Sequence, residues 1–206
     1  MVKFSIIDYK AGNLKSLSKA LEYLNAEFVI SNQKSEILQA DGIFMPGVGA
    51  FGEAMKNLDE IHFNEILSEI KLREIPFMGI CLGLQLLYTS SEEMGFYYGL
   101  DVIKGHVKKF REGMKVPQIG WNSIQPKTYD HFIFEDIPAH SYFYFVHSFY
   151  GVPENPSNIL AETTYVDVTF ASMVVNKNFI ATQFHPEKSG KIGIKLLSNF
   201  IKSVKR

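Results

Sequence analysis

The stretch GICLGLQLL, residues 79–87, decides both the fold class and the candidate chemistry of this chain. It continues the apolar run IPFMGI (75–80), which predicts a buried strand, and from Leu82 onward it shows a helical pattern. A strand that ends in G-x-C-x-G and turns directly into a helix is typical of a nucleophile elbow, a sharp turn that presents one side chain above a parallel sheet. Cys81 is therefore a candidate nucleophile, placed where the free backbone N–H groups of a helix N-terminus favour a thiolate.

A purely structural role is the alternative for Cys81, because free cysteine is among the most buried residue types. Gly79 and Gly83 favour the elbow, since glycine lets backbone segments approach where a Cβ atom would clash. Cys81 is also the only cysteine of the sequence, which excludes an intrachain disulfide and fits a reducing compartment. On this stretch alone, both interpretations stay open.

The first half of the chain alternates between strand-like and helix-like patterns. Strands are predicted at 3–7, 26–31, 42–45 and 75–80, and helices at 12–25, 51–58, 60–74 and 82–91, with a short helical turn at 35–41. Alternation of this kind predicts a parallel sheet that is covered by helices on both faces.

After residue 100 the pattern changes to short β-like runs separated by turn residues. These runs lie at 102–110, 116–124, 142–150, 159–165, 168–175 and 179–184, and a helix at 191–204 closes the chain. We therefore expect an α/β fold with a mostly parallel central sheet flanked by helices and an additional, largely antiparallel β layer. A length of 206 residues without repeats or linkers predicts a single domain over 1–206.

The composition excludes several classes of protein. The formal net charge is −1, so the chain has no strong field that would attract nucleic acid or an anionic membrane. No run approaches the roughly 20 apolar residues that a spanning helix needs, and the N-terminal apolar run meets Asp8 too early for a signal peptide. We expect a cytoplasmic protein that binds neither nucleic acid nor a membrane.

A second candidate group is the motif FHPEKS, residues 184–189. A cysteine nucleophile usually needs an imidazole base and a third group that orients the base. His185 and Glu187 are two residues apart, and Pro186 favours extended geometry for His185, so both side chains are expected on one face. The alternative is a surface turn with a solvated glutamate and lysine.

The third candidate is the loop MPGVGAFGEAM, residues 45–55, which follows a predicted strand. Gly47 and Gly49 free its backbone to present N–H groups, and one of these could stabilise an oxyanion together with the amide of Leu82. The alternative is an ordinary glycine-rich turn that opens a helix at Phe51. A phosphate-binding loop is disfavoured because no G-K-[ST] follows.

Three stretches of the chain resemble, in the same order, the three motifs of the class I (triad) glutamine amidotransferases: PGVGAF, GICLGLQLL and QFHPEKS. The resemblance covers nearly the whole chain. It implies the fold of that family and a glutaminase reaction in which Cys81 attacks the side-chain amide of glutamine. His185 would transfer the proton and Glu187 would orient the imidazole.

The resemblance also implies the residues that hold the substrate. Those expected to bind glutamine or to line the oxyanion hole are Gly47, Gly49, Leu82, Gln85, Ser148 and Phe149. No cofactor is expected, and no metal, because the histidines outside these motifs (62, 106, 131 and 140) do not show metal-ligand spacing. The role of His147 stays open, since a histidine in an aromatic strand can be structural.

Within the family, the chain resembles most closely the glutaminase subunits of imidazole glycerol phosphate synthase. Three further stretches resemble motifs of these subunits. DYKAGNLKSL resembles the motif D-Y-G-x-G-N-L, PQIGWN resembles P-H-x-G-W-N, and YFVHSF resembles Y-F-V-H-S-Y. The resemblance implies a heterodimer with a (β/α)₈-barrel synthase subunit, which uses the ammonia to make imidazole glycerol phosphate and an aminoimidazole carboxamide ribotide in histidine biosynthesis. Lys10 and Gln118 depart from this pattern, at positions where the subfamily has glycine and histidine.

Two other functions remain open. A paralogous amidotransferase that supplies ammonia to a synthase of surface-sugar amidines has nearly the same motifs. A catalytically inactive interaction subunit is the alternative from a different class, and the intact set of cysteine, histidine and glutamate argues against it.

Overall fold

The computed structural model describes residues 2–204 of the chain. The strands are β1 (Lys3–Ile7), β2 (Glu27–Ser31), β3 (Gly42–Gly47), β4 (Phe77–Cys81), β5 (Tyr88–Ser91), β6 (Tyr97–Tyr98), β7 (Ile103–Lys109), β8 (Gln118–Ser123), β9 (Gln125–Pro126), β10 (Tyr142–His147), β11 (Phe149–Pro153), β12 (Ile159–Tyr165), β13 (Val168–Asn176) and β14 (Phe179–Thr182). The helices are α1 (Leu14–Tyr23), α2 (Lys34–Leu38), α3 (Phe51–Glu60), α4 (Phe63–Leu72), α5 (Leu82–Leu86) and α6 (Gly190–Val204).

An eight-stranded sheet in the order β2-β1-β3-β4-β14-β13-β12-β9 forms the centre of the molecule. Its first five strands are parallel, and the other three join antiparallel. The predicted α/β fold with a mostly parallel central sheet is confirmed. The register places Gly47 beside Cys81 and Thr182 beside Ile80, so the carboxyl ends of β3, β4 and β14 meet at one edge.

The antiparallel strands of the second half are divided among three sheets. The strands β12, β13 and β9 extend the central sheet, while β10 pairs with β8, and β11, β7, β5 and β6 form a third sheet. The predicted additional antiparallel layer is therefore partly a continuation of the parallel sheet. The reason is that β14 offers one edge to β4 and the other to β13.

The core lies on both faces of the central sheet, as the alternation of side chains along β3 illustrates. On one face, the ring of Phe44 packs against Phe4 of β1 and Phe200 of α6. The ring centroid of Phe44 lies 5.6 Å from that of Phe4 and 5.2 Å from that of Phe200. Ile43 and Met45 point to the opposite face, where the buried side chains of α3 and α4 cover the sheet. No helix within residues 2–204 is long and apolar enough to span a membrane.

The turn from β4 into α5 explains the spacing G-x-C-x-G. Cys81 adopts φ 57° and ψ −107°, a left-handed geometry that a residue with a side chain rarely takes. A Cβ atom on Gly83 would lie 1.9 Å from the carbonyl oxygen of Met45, and one on Gly79 would lie 2.8 Å from the carbonyl oxygen of Gly83. Both glycines are therefore required by the close approach of β3, β4 and α5.

The predicted helix 82–91 is wrong in its second half, because α5 ends at Leu86 and Tyr88–Ser91 is a strand. This strand, β5, pairs in parallel with β7 and antiparallel with β6. Both pairing partners, β6 and β7, lie outside the segment 82–91, so the local helical pattern could not reveal them. The two neighbouring predicted helices are also shifted, since α3 runs on to Glu60 and α4 starts at Phe63, after His62 in the left-handed region.

We expect Gly83→Ala to destabilise the protein by about 1–3 kcal/mol or more, because the added methyl group would have to displace the backbone of β3. Urea unfolding followed by circular dichroism measures the change. Ser68→Ala, on the exposed face of α4, is the control and is expected within about 0.5 kcal/mol of the unsubstituted chain. A Gly83→Ala chain as stable as this control would contradict the close packing described for the turn.

Candidate active site

A cavity of about 280 Å³ lies at the edge where β3, β4 and β14 end. Seven of the residues singled out in the sequence line it, namely Gly49, Cys81, Leu82, Gln85, Ser148, Phe149 and His185. Five lining residues were not predicted as site residues, namely Val48, Glu93, Pro117, Val146 and His147. Three motifs that are far apart in sequence therefore meet in one pocket, as the parallel topology requires.

Cys81 is buried and yet reaches the cavity, so the two interpretations of this cysteine are compatible. Its side chain is 6% exposed. The sulfur lies 3.9 Å from the carbonyl oxygen of Val146 and 3.8 Å from Nε2 of Gln183, which donates to it. The elbow turns the sulfur away from the sheet toward the pocket.

His185 and Glu187 form a buried pair behind the cysteine. His185 Nδ1 lies 2.8 Å from Glu187 Oε1, and the two side chains are 2% and 3% exposed. His185 is extended as its position before Pro186 predicts, but Pro186–Lys188 forms a 3₁₀ turn rather than a continued extended segment. The turn keeps the two side chains in contact, and its closing residue Ser189 donates from Oγ to the carbonyl oxygen of His185.

The electrostatics of His185 favour the imidazolium form. Burial by itself lowers its pKa, but the hydrogen-bonding and charge of Cys81 and Glu187 outweigh burial and raise the pKa to about 10. Nε2 makes no hydrogen bond of normal geometry to any residue between 2 and 204, and Cys81 is the group that acts on the ring besides Glu187. The arrangement can therefore keep an imidazolium beside the Cys81 sulfur.

His147 has the opposite character, although it lines the same pocket. Burial lowers its pKa to about 4, the hydrogen bond to Phe149 raises it in part, and the nearby His185 lowers it further. Its Nδ1 lies 2.8 Å from the carbonyl oxygen of Phe149. A carbonyl oxygen can only accept a hydrogen bond, so Nδ1 carries a proton. Because the pKa is low, the ring carries no second proton at neutral pH and is uncharged. His147 is thus a poor general base at neutral pH.

The glycine-rich loop after β3 is held by the N-terminal motif. Tyr9, whose pKa is raised by complete burial and by the nearby Cys81, donates its hydroxyl to the carbonyl oxygen of Pro46 at 2.8 Å. A Cβ atom on Gly47 would lie 2.2 Å from this hydroxyl, so the position requires a glycine. Gly47, which was expected among the substrate-binding residues, does not line the cavity. Lys10 follows in the left-handed region at φ 62°, a conformation that glycine adopts readily.

The backbone N–H of Val48 points away from the pocket in this structure. It donates to the carbonyl oxygen of Ala11 at 3.0 Å. Gly49 follows with φ 108°, a value that suits glycine. The N–H of Val48 could thus serve as an oxyanion donor only if its bond to Ala11 opened, whereas the amide of Leu82 follows Cys81 directly.

Glu93 is the clearest residue that sequence reasoning missed. Its Oε2 accepts the backbone N–H of Phe51 at 2.7 Å, where α3 begins, and the residue lines the cavity. The mistaken helix prediction for 82–91 concealed the strand that carries Glu93 to this place. Among residues 2–204, no group of three or more histidine, cysteine, aspartate or glutamate side chains could hold a metal ion.

Comparisons with known proteins show the family to which this chain belongs. The sequence profile of the family "Glutamine amidotransferase class-I" matches residues 5–204. A curated relative from Chlorobaculum tepidum, named imidazole glycerol phosphate synthase subunit HisH, is 45% identical over 196 residues, 95% of this chain and 97% of the relative. A relative of the same name from Methanosarcina barkeri is 48% identical over 204 residues, 98% of either chain.

A solved structure described as a glutamine amidotransferase shares the fold, with a TM-score of 0.76 at 16% identity, and the match covers 98% of this chain and 99% of that one. The chain belongs to the class I glutamine amidotransferase family. Its resemblance to two relatives named HisH extends over almost the full length of each.

We expect the ring of His185 to titrate near pH 10 in NMR spectra of the folded chain. Glu187→Gln removes an opposite charge at hydrogen-bond distance, which disfavours the imidazolium, so the midpoint should fall by about 1–3 pH units. Glu53→Gln, an exposed carboxylate on α3, is the control and should leave the titration unchanged. A midpoint that stays near pH 10 in Glu187→Gln would contradict the charge assigned to this pair.

Proposed function

We propose that this chain hydrolyses glutamine to glutamate and ammonia and delivers the ammonia to a synthase subunit that forms imidazole glycerol phosphate in histidine biosynthesis. The observation that carries the proposal is the buried pair of His185 and Glu187 behind Cys81, at the pocket of a class I glutamine amidotransferase fold. The names of the curated relatives supply the pathway and the existence of a partner subunit.

Cys81, His185 and Glu187 take the roles of nucleophile, proton carrier and orienting carboxylate in this proposal. The thiolate attacks the side-chain carbonyl carbon, and the resulting oxyanion is stabilised by backbone N–H groups. His185 gives its proton to the amide nitrogen, the C–N bond breaks, and ammonia departs from a γ-glutamyl thioester. Water activated by His185 then hydrolyses the thioester, which restores the thiolate.

The hydrogen bonds of the pocket support the proposal that Gln85 binds one end of the substrate. Its Nε2 donates to the carbonyl oxygen of Phe149 at 2.8 Å and to Oε1 of Gln183 at 3.2 Å, so both of its N–H groups are engaged. The side-chain oxygen of Gln85 is left to accept from the α-ammonium group of glutamine. Glu93 adds a carboxylate to the same pocket, and Ser148 and Phe149 form the opposite wall.

The partner subunit is proposed to dock beside the pocket on the sheet formed by β8 and β10. Three large apolar side chains on this sheet are exposed, namely Ile119 at 62%, Trp121 at 52% and Tyr142 at 59%. Exposed aromatic clusters of this kind are typical of protein interfaces. Val146 of β10 and Pro117, which directly precedes β8, line the cavity, so a partner there would lie next to the site of ammonia release.

The finer features of the complex follow from the family resemblance. We propose that the partner is a (β/α)₈-barrel synthase and that the two chains form a heterodimer in the cytoplasm. We also propose one domain over 1–206, of which 2–204 are described, because strands from both halves of the chain share the central sheet.

The two alternatives make different predictions. A surface-sugar amidotransferase would have the same glutaminase activity with another synthase, and the names of the relatives favour the histidine pathway. An inactive interaction subunit would release no glutamate at all. Measuring glutamate release in the presence of each synthase separates the three cases.

We expect Cys81→Ser to abolish glutamine-dependent product formation by the complex, by at least about three orders of magnitude, because the thiolate nucleophile is lost. The partner should still form product when an ammonium salt replaces glutamine, which serves as the control for an intact complex. Glutamine consumption at the original rate would show that Cys81 is not the nucleophile.

The loop after β3 predicts that the isolated chain is a slow glutaminase. The N–H of Val48 is bound to Ala11, so one oxyanion donor is missing, which costs roughly 10²–10³ in rate. We expect partner and acceptor ligand together to raise steady-state glutamate release at least about a hundredfold, by favouring the loop arrangement with the N–H turned to the pocket. Full turnover by the chain alone would contradict this switch and leave the triad assignment intact.

A further inference from the structure

We propose that Gln183 is a further catalytic residue of the glutaminase reaction, whose side-chain amide donates a hydrogen bond to the Cys81 sulfur and links it to the substrate pocket through Gln85. The inference rests on the proposed function and deepens it. It is drawn from two contacts: Gln183 Nε2 lies 3.8 Å from Cys81 Sγ, and Gln183 Oε1 lies 3.2 Å from Gln85 Nε2.

The central sheet holds Gln183 at this place. It follows directly after β14, which runs parallel to β4, so it stands beside the residue that ends β4, Cys81. Its backbone N–H donates to the carbonyl oxygen of Ser172 on β13 at 2.8 Å. The residue is 0% exposed. Its position is thus determined by strands on both sides rather than by a mobile loop.

The direction of the Gln183 amide follows from a chain of hydrogen bonds that begins at a backbone carbonyl. The oxygen of Phe149 can only accept, so Gln85 must present Nε2 to it. The second N–H of the same nitrogen then faces Gln183, which must present its oxygen. The Nε2 group of Gln183 is therefore left to face the sulfur of Cys81.

A fully buried amide is costly unless both of its ends are hydrogen-bonded, so a glutamine at this place needs the sulfur as a partner. An N–H donor stabilises the negatively charged sulfur more than the neutral thiol. The negative charge leaves the sulfur when the C–S bond forms and returns when the thioester is hydrolysed. Gln183 therefore favours the nucleophile before attack and the leaving thiolate at the end, and no proton or bond of its own changes.

The test is the pH dependence of the alkylation of Cys81 by iodoacetamide, measured on the full chain without glutamine. Gln183→Met keeps the length of the side chain and removes the donor. We expect the pH of half-maximal alkylation to rise by about one unit, so that alkylation is up to about tenfold slower at pH values below the midpoint. Glutamine turnover in the complex should fall by a similar factor through kcat.

Ser172→Ala is the matched control. Its side chain is 0% exposed and lies on the neighbouring strand, and its hydroxyl has no partner among residues 2–204. This variant should leave the alkylation profile of Cys81 unchanged. A merely structural role of Gln183 would lower the folded fraction without moving the profile of the folded protein, which thermal unfolding of each variant distinguishes.

Gln183→Glu provides a second variant in case Gln183→Met fails to fold, since it is nearly isosteric and replaces the donor by an ionisable acceptor. It should shift the alkylation profile in the same direction and further, because a carboxylate next to the sulfur repels a thiolate. Gln85→Met should also shift the alkylation profile of Cys81, because it removes the hydrogen bond that orients the Gln183 amide.

A folded Gln183→Met or Gln183→Glu chain with the alkylation profile of the unsubstituted protein would overturn the proposal. A shift in Gln183→Met without one in Gln85→Met would overturn the link through Gln85. Because alkylation requires no glutaminase activity, a failure of the proposed function appears separately, as an unsubstituted chain that alkylates normally but releases no glutamate with its partner.

Discussion

The left-handed turn at Cys81 is the constraint on which the rest of the site depends. The backbone reaches φ 57° there, and α5 then packs against β3 so closely that a side chain on Gly83 is excluded. Strain of this kind persists where surrounding structure determines it. The sheet register brings β3 and β14 to the same edge, so that Gly49 of the loop, Cys81 and His185 lie around one cavity.

Two histidines in this small volume are tuned in opposite directions, and their neighbours explain the difference. Both are buried, which by itself lowers the pKa of an imidazole. His185 is paired with the carboxylate of Glu187 and stands beside Cys81, so its pKa rises to about 10. His147 has a backbone carbonyl as its partner, so its pKa falls to about 4. At neutral pH His185 therefore favours the imidazolium form and His147 the neutral form.

Rigid and adjustable parts are separated within the pocket. The hydrogen bonds from Phe149 through Gln85 and Gln183 to Cys81 join residues at the ends of strands and within α5. The Val48 peptide belongs to a loop whose N–H is engaged elsewhere. The network around Cys81 is therefore separate from the hydrogen bond that holds the loop.

The sequence by itself determined the parallel half of the fold and the three motifs of the site, because these depend on local patterns: apolar runs, the spacing of glycines around Cys81, and the two-residue interval between His185 and Glu187. Only the tertiary structure decided that Tyr88–Ser91 forms a strand, that Glu93 lines the pocket and that Gln183 contacts the sulfur. These features rest on contacts between different segments of the chain. A single glutamine or glutamate belongs to no repeating pattern in the sequence, so the sequence does not indicate which residue it contacts. Hydrogen-bond direction, burial and the resulting pKa shifts exist only once those segments meet.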